Sequence, residues 1–414
     1  MEMRSGENPA PTTPADAPAE PEGSVPADSQ PALARSGVRR RALIAGGIAA
    51  GAAAVLGGAG FIISRATRPE PGDVRWSYEG ISTTPVVAGG TIYGTGGGVT
   101  ALDAKTGDER WNFSNNTVGW ISGAQMPSYT PAFGSDLVYV AYQSPHVIAL
   151  HADSGEVAWS YAADEDQYFA TSPILDGDTI YAISGPSTGR PGSVLHAIDA
   201  ARGTGRWTLP ADGLELSPPA VAGNLIYLSR SDPASVLDDP SAAWLAVDKA
   251  SGIISFSLTS GRNSSDSPAA VAAKDQVYLA THDNVAAVSA GNGRVVWQVA
   301  SPGLWTSSLT WGETTTGGRL FTRDNDGALY ALDTVRGEKS WEYPAETPLH
   351  AAPAFADGVL YAPASGGELH VVDAANGARR AVYHAGTKDL TSTPALTTDS
   401  ILVSDGNVLY AIAR

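Results

Sequence analysis

The chain has 414 residues, 43% of them apolar, a formal charge of −17 and no cysteine. Its length supports a sizeable core. The acidic balance argues against a nucleic-acid backbone or anionic headgroups as partners. The missing cysteine excludes disulfides, thiolate metal sites and a lipidated N-terminal Cys. Few charges and 46 glycines suit a turn-rich all-β protein better than a helical one.

In chain order, residues 1–41 read as a disordered tail. Met1 to Ala34 is rich in Pro, Ala, Ser and acids with almost no large apolar residue, and Arg35, Arg39, Arg40 and Arg41 follow. The uncharged run Ala42 to Ile63 comes next, 22 residues long and enough to cross a bilayer as a helix. The arginine excess before it keeps the tail cytoplasmic and puts the rest outside. A second reading stays open. The run is largely Ala and Gly, and Arg40-Arg41-Ala42-Leu43-Ile44 is similar to a twin-arginine export signal, which would be cleaved. Both readings make the protein extracytoplasmic: a single-pass protein of the cytoplasmic membrane, or an exported one. Residues 64–73 form a linker.

From Val74 to Arg414 the chain repeats itself. "ALDAKTGDERW" ends at Trp111, and related stretches end at Trp159, Trp207, Phe256, Trp297, Trp341 and Ala381, at intervals of 48, 48, 49, 41, 44 and 40 residues. Upstream of each lies a Ser/Thr-Pro or near equivalent (Thr84-Pro85, Ser172-Pro173, Ser217-Pro218, Thr393-Pro394), then a branched residue with Tyr, as in Ile92-Tyr93 and Ile180-Tyr181. Short Val/Ile/Tyr-rich runs between Gly/Asp/Asn turns predict four strands per unit. In the first unit these are Pro85 to Ala88, Thr91 to Thr95, Val99 to Asp103 and a fourth through Trp111. Asp103 is placed to cap the turn, and Gly107 supplies a positive φ.

The spacing fits four-stranded propeller blades. The C-terminal "NVLYAIAR" is a third strand without its fourth, and "VRWSYEG", with Trp76 in the motif position, is a fourth without its third. An eighth blade stitched from both termini closes the ring. Trp76, Trp111, Trp159, Trp207, Phe256, Trp297 and Trp341 are expected to wedge between neighbouring sheets, each buried indole removing roughly 150–250 Å² from water. Ala381 leaves one contact without an aromatic.

The pattern Ala-Φ-Asp-x-x-x-Gly-x-x-x-Trp with its upstream Ser/Thr-Pro and Φ-Tyr resembles the PQQ-type (quinoprotein-like) β-propeller repeat. That resemblance implies an all-β, eight-bladed propeller. The family holds quinoprotein dehydrogenases, which bind PQQ and Ca²⁺ over the ring, and non-catalytic scaffolds. The near-minimal blades and the lack of an adjacent-cysteine pair are closer to the scaffold members, so no cofactor, metal or catalytic residue is expected. A PQQ/Ca²⁺-dependent dehydrogenase is the alternative, and a hydrolase or lyase propeller ranks below it.

No motif carries chemistry by itself. Asp324 to Gly327 ("DNDG") lacks the ligand spacing of a calcium loop and reads as a hairpin turn. The seven histidines show no metal-ligand spacing. Insertions fall mainly on the face carrying connections between blades and between second and third strands: Ser114 to Ser128, Ala162 to Ala170, Ser184 to Val194, Leu228 to Ala243 and Leu258 to Asp266. Trp311 to Gly318 is the exception, on the other face. Loop elaboration marks the binding side. Trp120, Asp164, Glu165, Asp166, Tyr168, Glu215, Trp305 and His350 are the candidate binding face, and another protein or a small polar ligand is the expected partner. Deleting Asp73 to Gly80 is expected to abolish cooperative unfolding, while deleting Met1 to Ala34 leaves the thermal midpoint unchanged; equal tolerance refutes the closure.

Overall fold

A computed structural model describes residues 69–414 apart from 114–128, 142–143, 165, 170, 187–191, 233–242, 260–269, 281–283, 301–308 and 325–326. The expectations for residues 1–68, including the apolar run Ala42 to Ile63, lie outside the described residues. Among the described residues there is no α-helix, and none long and apolar enough to cross a membrane.

Eight antiparallel sheets form, in the expected strand order. The first runs Val86–Ala88, Thr91–Thr95, Val99–Asp103, Glu109–Phe113 from inside to outside. The eighth takes Ala395–Leu396, Ser400–Ser404 and Val408–Ala413 from the C-terminus and Val74–Glu79 as its outer strand. Its inner strand touches that of the first blade, so the ring closes. The apolar cores lie between blades: Tyr181, Ile183 and Leu195 of blade 3 pack with Ile226, Leu228 and Leu245 of blade 4, and Trp76 and Leu409 of blade 8 pack with Ile92 and Leu102 of blade 1. The second strand of blade 1 is buried throughout and its third nearly so, whereas its outer strand alternates toward solvent.

The inner strand is broken in the middle. In blade 3 it is Gln167–Phe169 and then Ile174–Asp176, both pairing with Thr179–Pro186; in blade 4 it is Glu215–Leu216 and Ala220–Ala222 on Leu225–Ser231. In blades 1 and 7 the upper piece shrinks to the bridges Ile81↔Gly96 and Leu349↔Ala364. The Ser/Thr-Pro pairs sit in these gaps, because proline has no N–H to give a ladder. A nearby hydroxyl takes over: Ser217 Oγ accepts from Ser229 N at 2.9 Å, and Ser392 Oγ from Ser404 N at 2.8 Å. The residues just before these pairs include Thr83 and Leu216, both buried. The Trp311–Gly318 insertion lies, as expected, between the first and second strands of blade 6, where it lengthens the hairpin Thr310–Thr314/Gly317–Arg323.

Blade docking follows one rule. Trp111, Trp159, Trp207 and Trp297 each donate Nε1–H to a backbone carbonyl of the next blade, at 2.8–2.9 Å, onto Ala152, Ala200, Lys249 and Thr334. Trp341 does so onto Ala374 at 3.2 Å, while Trp76 Nε1 finds no partner among the described residues. Each ring lies on the turn glycine of that next blade. A Cβ added to Gly203 would fall 2.5 Å from Trp159, and one added to Gly293 would fall 2.2 Å from Phe256. Within its own blade the indole rests against the second-strand Tyr, as in Tyr181–Trp207 at 6.0 Å. These indoles are less buried than expected. Only Trp76 and Trp297 are buried; Trp111, Trp159, Trp207 and Trp341 are half-buried.

The seventh contact also differs from expectation. Ala381 is replaced in function by Tyr383, against whose ring a Cβ on Gly72 would fall at 2.6 Å. Gly72 stands where the turn glycine stands in other blades: Gly72 N bonds Ala413 O at 2.9 Å and Ala413 N bonds Asp73 O at 2.8 Å, matching Gly107 N to Asp103 O and Asp103 N to Asp108 O. One motif is therefore shared between the two ends of the propeller. Arg75 reaches Asp399 and Ser400, and Arg414 pairs with Asp357, which fastens the join.

Gly177 and Gly203 both have left-handed φ, +60° and +68°, but a Cβ on Gly177 meets nothing within 4 Å. Gly177→Ala is expected to cost about 1 kcal/mol for the backbone alone, and Gly203→Ala at least about 3 kcal/mol because the Trp159 ring must move. Urea unfolding of the two variants measures the difference; equal losses would mean docking does not constrain the glycine.

Candidate binding face

The ring has two unlike faces. One carries the turns between third and fourth strands, and there the side chains serve architecture. Asp103, Asp199, Asp248, Asp333 and Asp373 each accept two turn amides on Oδ1. The Arg110 guanidinium and the turn amides hold the Asp103 carboxyl down to about 2.

The opposite face carries the predicted residues in separate sectors. Asp164, Asp166 and Tyr168 enter blade 3, and Glu215 enters blade 4; all four are exposed. His350 enters blade 7, four blades away from blade 3, so it shares the face with them but not the sector. Trp120, Glu165 and Trp305 lie outside the described residues.

The strand Gln167–Phe169 is held rigidly. Phe169 is fully buried while Tyr168 is 39% exposed. Ser184 Oγ donates to Gln167 Oε1 at 2.9 Å, so it accepts from His196 Nε2 at 2.8 Å, and His196 Nδ1 accepts from Tyr161 OH at 3.0 Å. This chain defines a neutral imidazole with its proton on Nε2. Burial pushes the His196 pKa down to about 4.

The same device recurs in blade 7. Tyr343 OH lies 2.7 Å from His370 Nδ1, and Nε2 faces Thr347 Oγ1 at 3.0 Å and Glu368 at 3.2 Å. His370 is likewise lowered by burial. Sequence reasoning missed both networks. Their signal is a Tyr two residues after the docking Trp, followed in the next blade by Leu-His ahead of the motif Asp: Trp159/Tyr161 with Leu195-His196, and Trp341/Tyr343 with Leu369-His370.

His350 has different company. Its Nε2 meets Ser365 Oγ at 2.7 Å and Asp389 at 3.3 Å, and Gly366 N donates to Asp389 Oδ1. Serine and aspartate share one ring nitrogen, so this is not a nucleophilic relay, in which the acid must hold the opposite nitrogen. It ties the connection into blade 7 to the Ser365–Gly367 turn.

These features define a quinoprotein-like propeller with an elaborated face. The chain belongs to the family described as "Outer membrane protein assembly factor BamB", matched over residues 40–258, 187–303 and 281–413. It is 24% identical to BamB of Yersinia pestis over 334 residues, covering 76% of this chain and 80% of that one. It is 25% identical to the quinohemoprotein alcohol dehydrogenase ADH-IIG of Pseudomonas putida over 64% of this chain and 40% of the enzyme. A 149-residue stretch is 29% identical to the serine/threonine-protein kinase AfsK of Streptomyces griseus, and the chain spans only 17% of that protein. BamB from Moraxella catarrhalis shares the fold with a TM-score of 0.62 at 15% identity, covering 83% of this chain and 97% of that structure.

Because His196 titrates near 4 when folded and near 6.5 when not, the unfolded chain gains its proton first as pH falls. Its contribution to stability is full above pH 6.5 and is lost between 6.5 and about 4, by up to roughly 3 kcal/mol. His370 acts in the same direction. Denaturant titrations at pH 7 and 4.5 are expected to show this loss in the parent and a smaller loss in His196→Gln; identical losses refute the assignment.

Proposed function

We propose that this chain is a non-catalytic scaffold that works outside the cytoplasm and grips a segment of another protein on its elaborated face. The observation that carries the reading is the blade 3 sector. There exposed Tyr168, Asp164 and Asp166 surround a short strand that Phe169 and the Gln167–Ser184–His196–Tyr161 network pin to the core. A rigid aromatic with acidic neighbours gives a partner contact area at little entropic cost. The relatives named as outer-membrane-protein assembly factors support a scaffold. The arginine cluster and Ala42 to Ile63 support anchoring in the cytoplasmic membrane or export across it.

The matches to quinoprotein dehydrogenases favour a second reading, PQQ- and Ca²⁺-dependent oxidation. Three described acids of this face, Asp324, Asp405 and Glu368, are already engaged by the protein's own donors and do not fit a calcium site. Asp324 accepts from Ala328 N and Tyr330 OH, Asp405 from Asn407 N and Val408 N, and Glu368 from Thr347. Among the described residues no three His, Asp or Glu side chains gather as a metal would need.

A photocrosslinking residue at Tyr168 is expected to capture a discrete protein partner from membranes, with yield falling at least tenfold when Asp166→Lys is added, while the same residue at Asp153 on the opposite face captures none. No difference between positions 168 and 153 would overturn the scaffold reading. Dye reduction by the purified chain with PQQ, Ca²⁺ and an alcohol would replace it with the second.

A further inference from the structure

Six large apolar side chains stand exposed among the described residues, and five of them sit on three consecutive blades: Ile253, Ile254, Val295, Val296 and Val335. All belong to the outer strands or adjoining turns of blades 4, 5 and 6. Blade docking brings the elements that carry them side by side. Phe256, beside Ile254, rests on Gly293, next to the turn leading into Val295; Trp297, beside Val296, rests on Gly337, next to Val335.

The outer strand is each blade's free edge, and proteins usually guard such edges with charge. Here the equivalent positions are Glu109 and Arg110 in blade 1, Arg206 in blade 3, Lys339 in blade 6, Arg379 and Arg380 in blade 7, and Arg75 in blade 8. Blade 2 runs Val157 to Ala162, blade 4 Gly252 to Leu258 and blade 5 Val295 to Ala300 without a charge, and of these only blades 4 and 5 also expose large apolar side chains. Unguarded strands side by side, rimmed with apolar groups, form an association surface.

From this we infer that a second copy of the chain docks on the rim of blades 4 to 6, edge to edge about a two-fold axis. A two-fold contact brings a patch against itself, so it must be self-complementary. At a charge of −17, most of the surface repels its copy. This rim does not. Its centre is neutral, and exposed residues of both signs border it: Arg294 and Arg336, neither of which has an ion-pair partner among the described residues, and Glu338. The opposite rim, at blade 1, carries Glu109 and Arg110 instead. The inference uses none of the residues of the blade 3 sector and does not depend on the scaffold reading.

The absence of cysteine supplies a clean test. Full-length chain in neutral detergent is expected to sediment as a dimer at micromolar concentration. Val296→Lys should raise the dissociation constant at least tenfold, with an unchanged circular dichroism spectrum; Asn112→Lys, on the outer strand of blade 1, should leave it unaltered. A single Val296→Cys should give a dimer-sized product with a short bismaleimide, and Asn112→Cys should not. A monomer at these concentrations, as expected if the rim takes a different protein, overturns the inference, and so does a dimer indifferent to Val296→Lys.

Discussion

The structure depends on an aromatic ring laid on a left-handed glycine of the next sheet. The glycine has two duties at once. Its φ near +70° closes the turn between third and fourth strands, and its missing Cβ leaves room for the indole. Where the ring is Trp and its N–H finds a carbonyl, the contact is directional, which fixes the angle between blades as well as their distance. Every sheet is thus positioned by its predecessor, and the ring ends by splitting one copy of the motif between Ala411–Ala413 and Gly72–Trp76.

That docking occupies one face and the outer strands, which leaves the other face free to vary. The inner strands break at the Ser/Thr-Pro gaps, and the piece above each gap can be a single bridged residue or a short strand of its own. In blade 3 the upper piece becomes Gln167–Phe169 and presents Tyr168. The imidazole beneath it connects a surface strand to the core without charge. It does so only while it stays neutral, so the rigidity of the face and the acid sensitivity of the fold share one cause. The same face in blade 7 uses its histidines differently: His370 is buried and braced, and His350 is half-exposed and joined to Ser365 and Asp389.

The rim shows what an architecture with eight outer edges must manage. Charges next to the docking aromatic protect most of them. Blades 2, 4 and 5 lack that protection, only 4 and 5 of these expose large apolar side chains, and blade 4 also has Phe256, which cannot donate to its neighbour as an indole does. The departure from the repeat and the exposed apolar rim therefore coincide at one place on the ring.

Sequence alone determined the strand order, the count of blades, the closure by Trp76 and the capping Asp, because each is written in local spacing and recurs. It also marked the face that carries Asp164, Asp166, Tyr168, Glu215 and His350, since insertions are visible as length. What the tertiary structure decided concerns groups that meet across blades. Tyr383 substitutes for the aromatic missing at Ala381, Gly72 becomes a turn residue for a strand that ends some 340 positions later, and His196 and His370 acquire tyrosine partners from the preceding sheet. The placing of Ile254, Val296 and Val335 on neighbouring blades belongs with these. Periodicity records what a residue does within its own strand, while such contacts are set by which sheets the closed ring brings side by side.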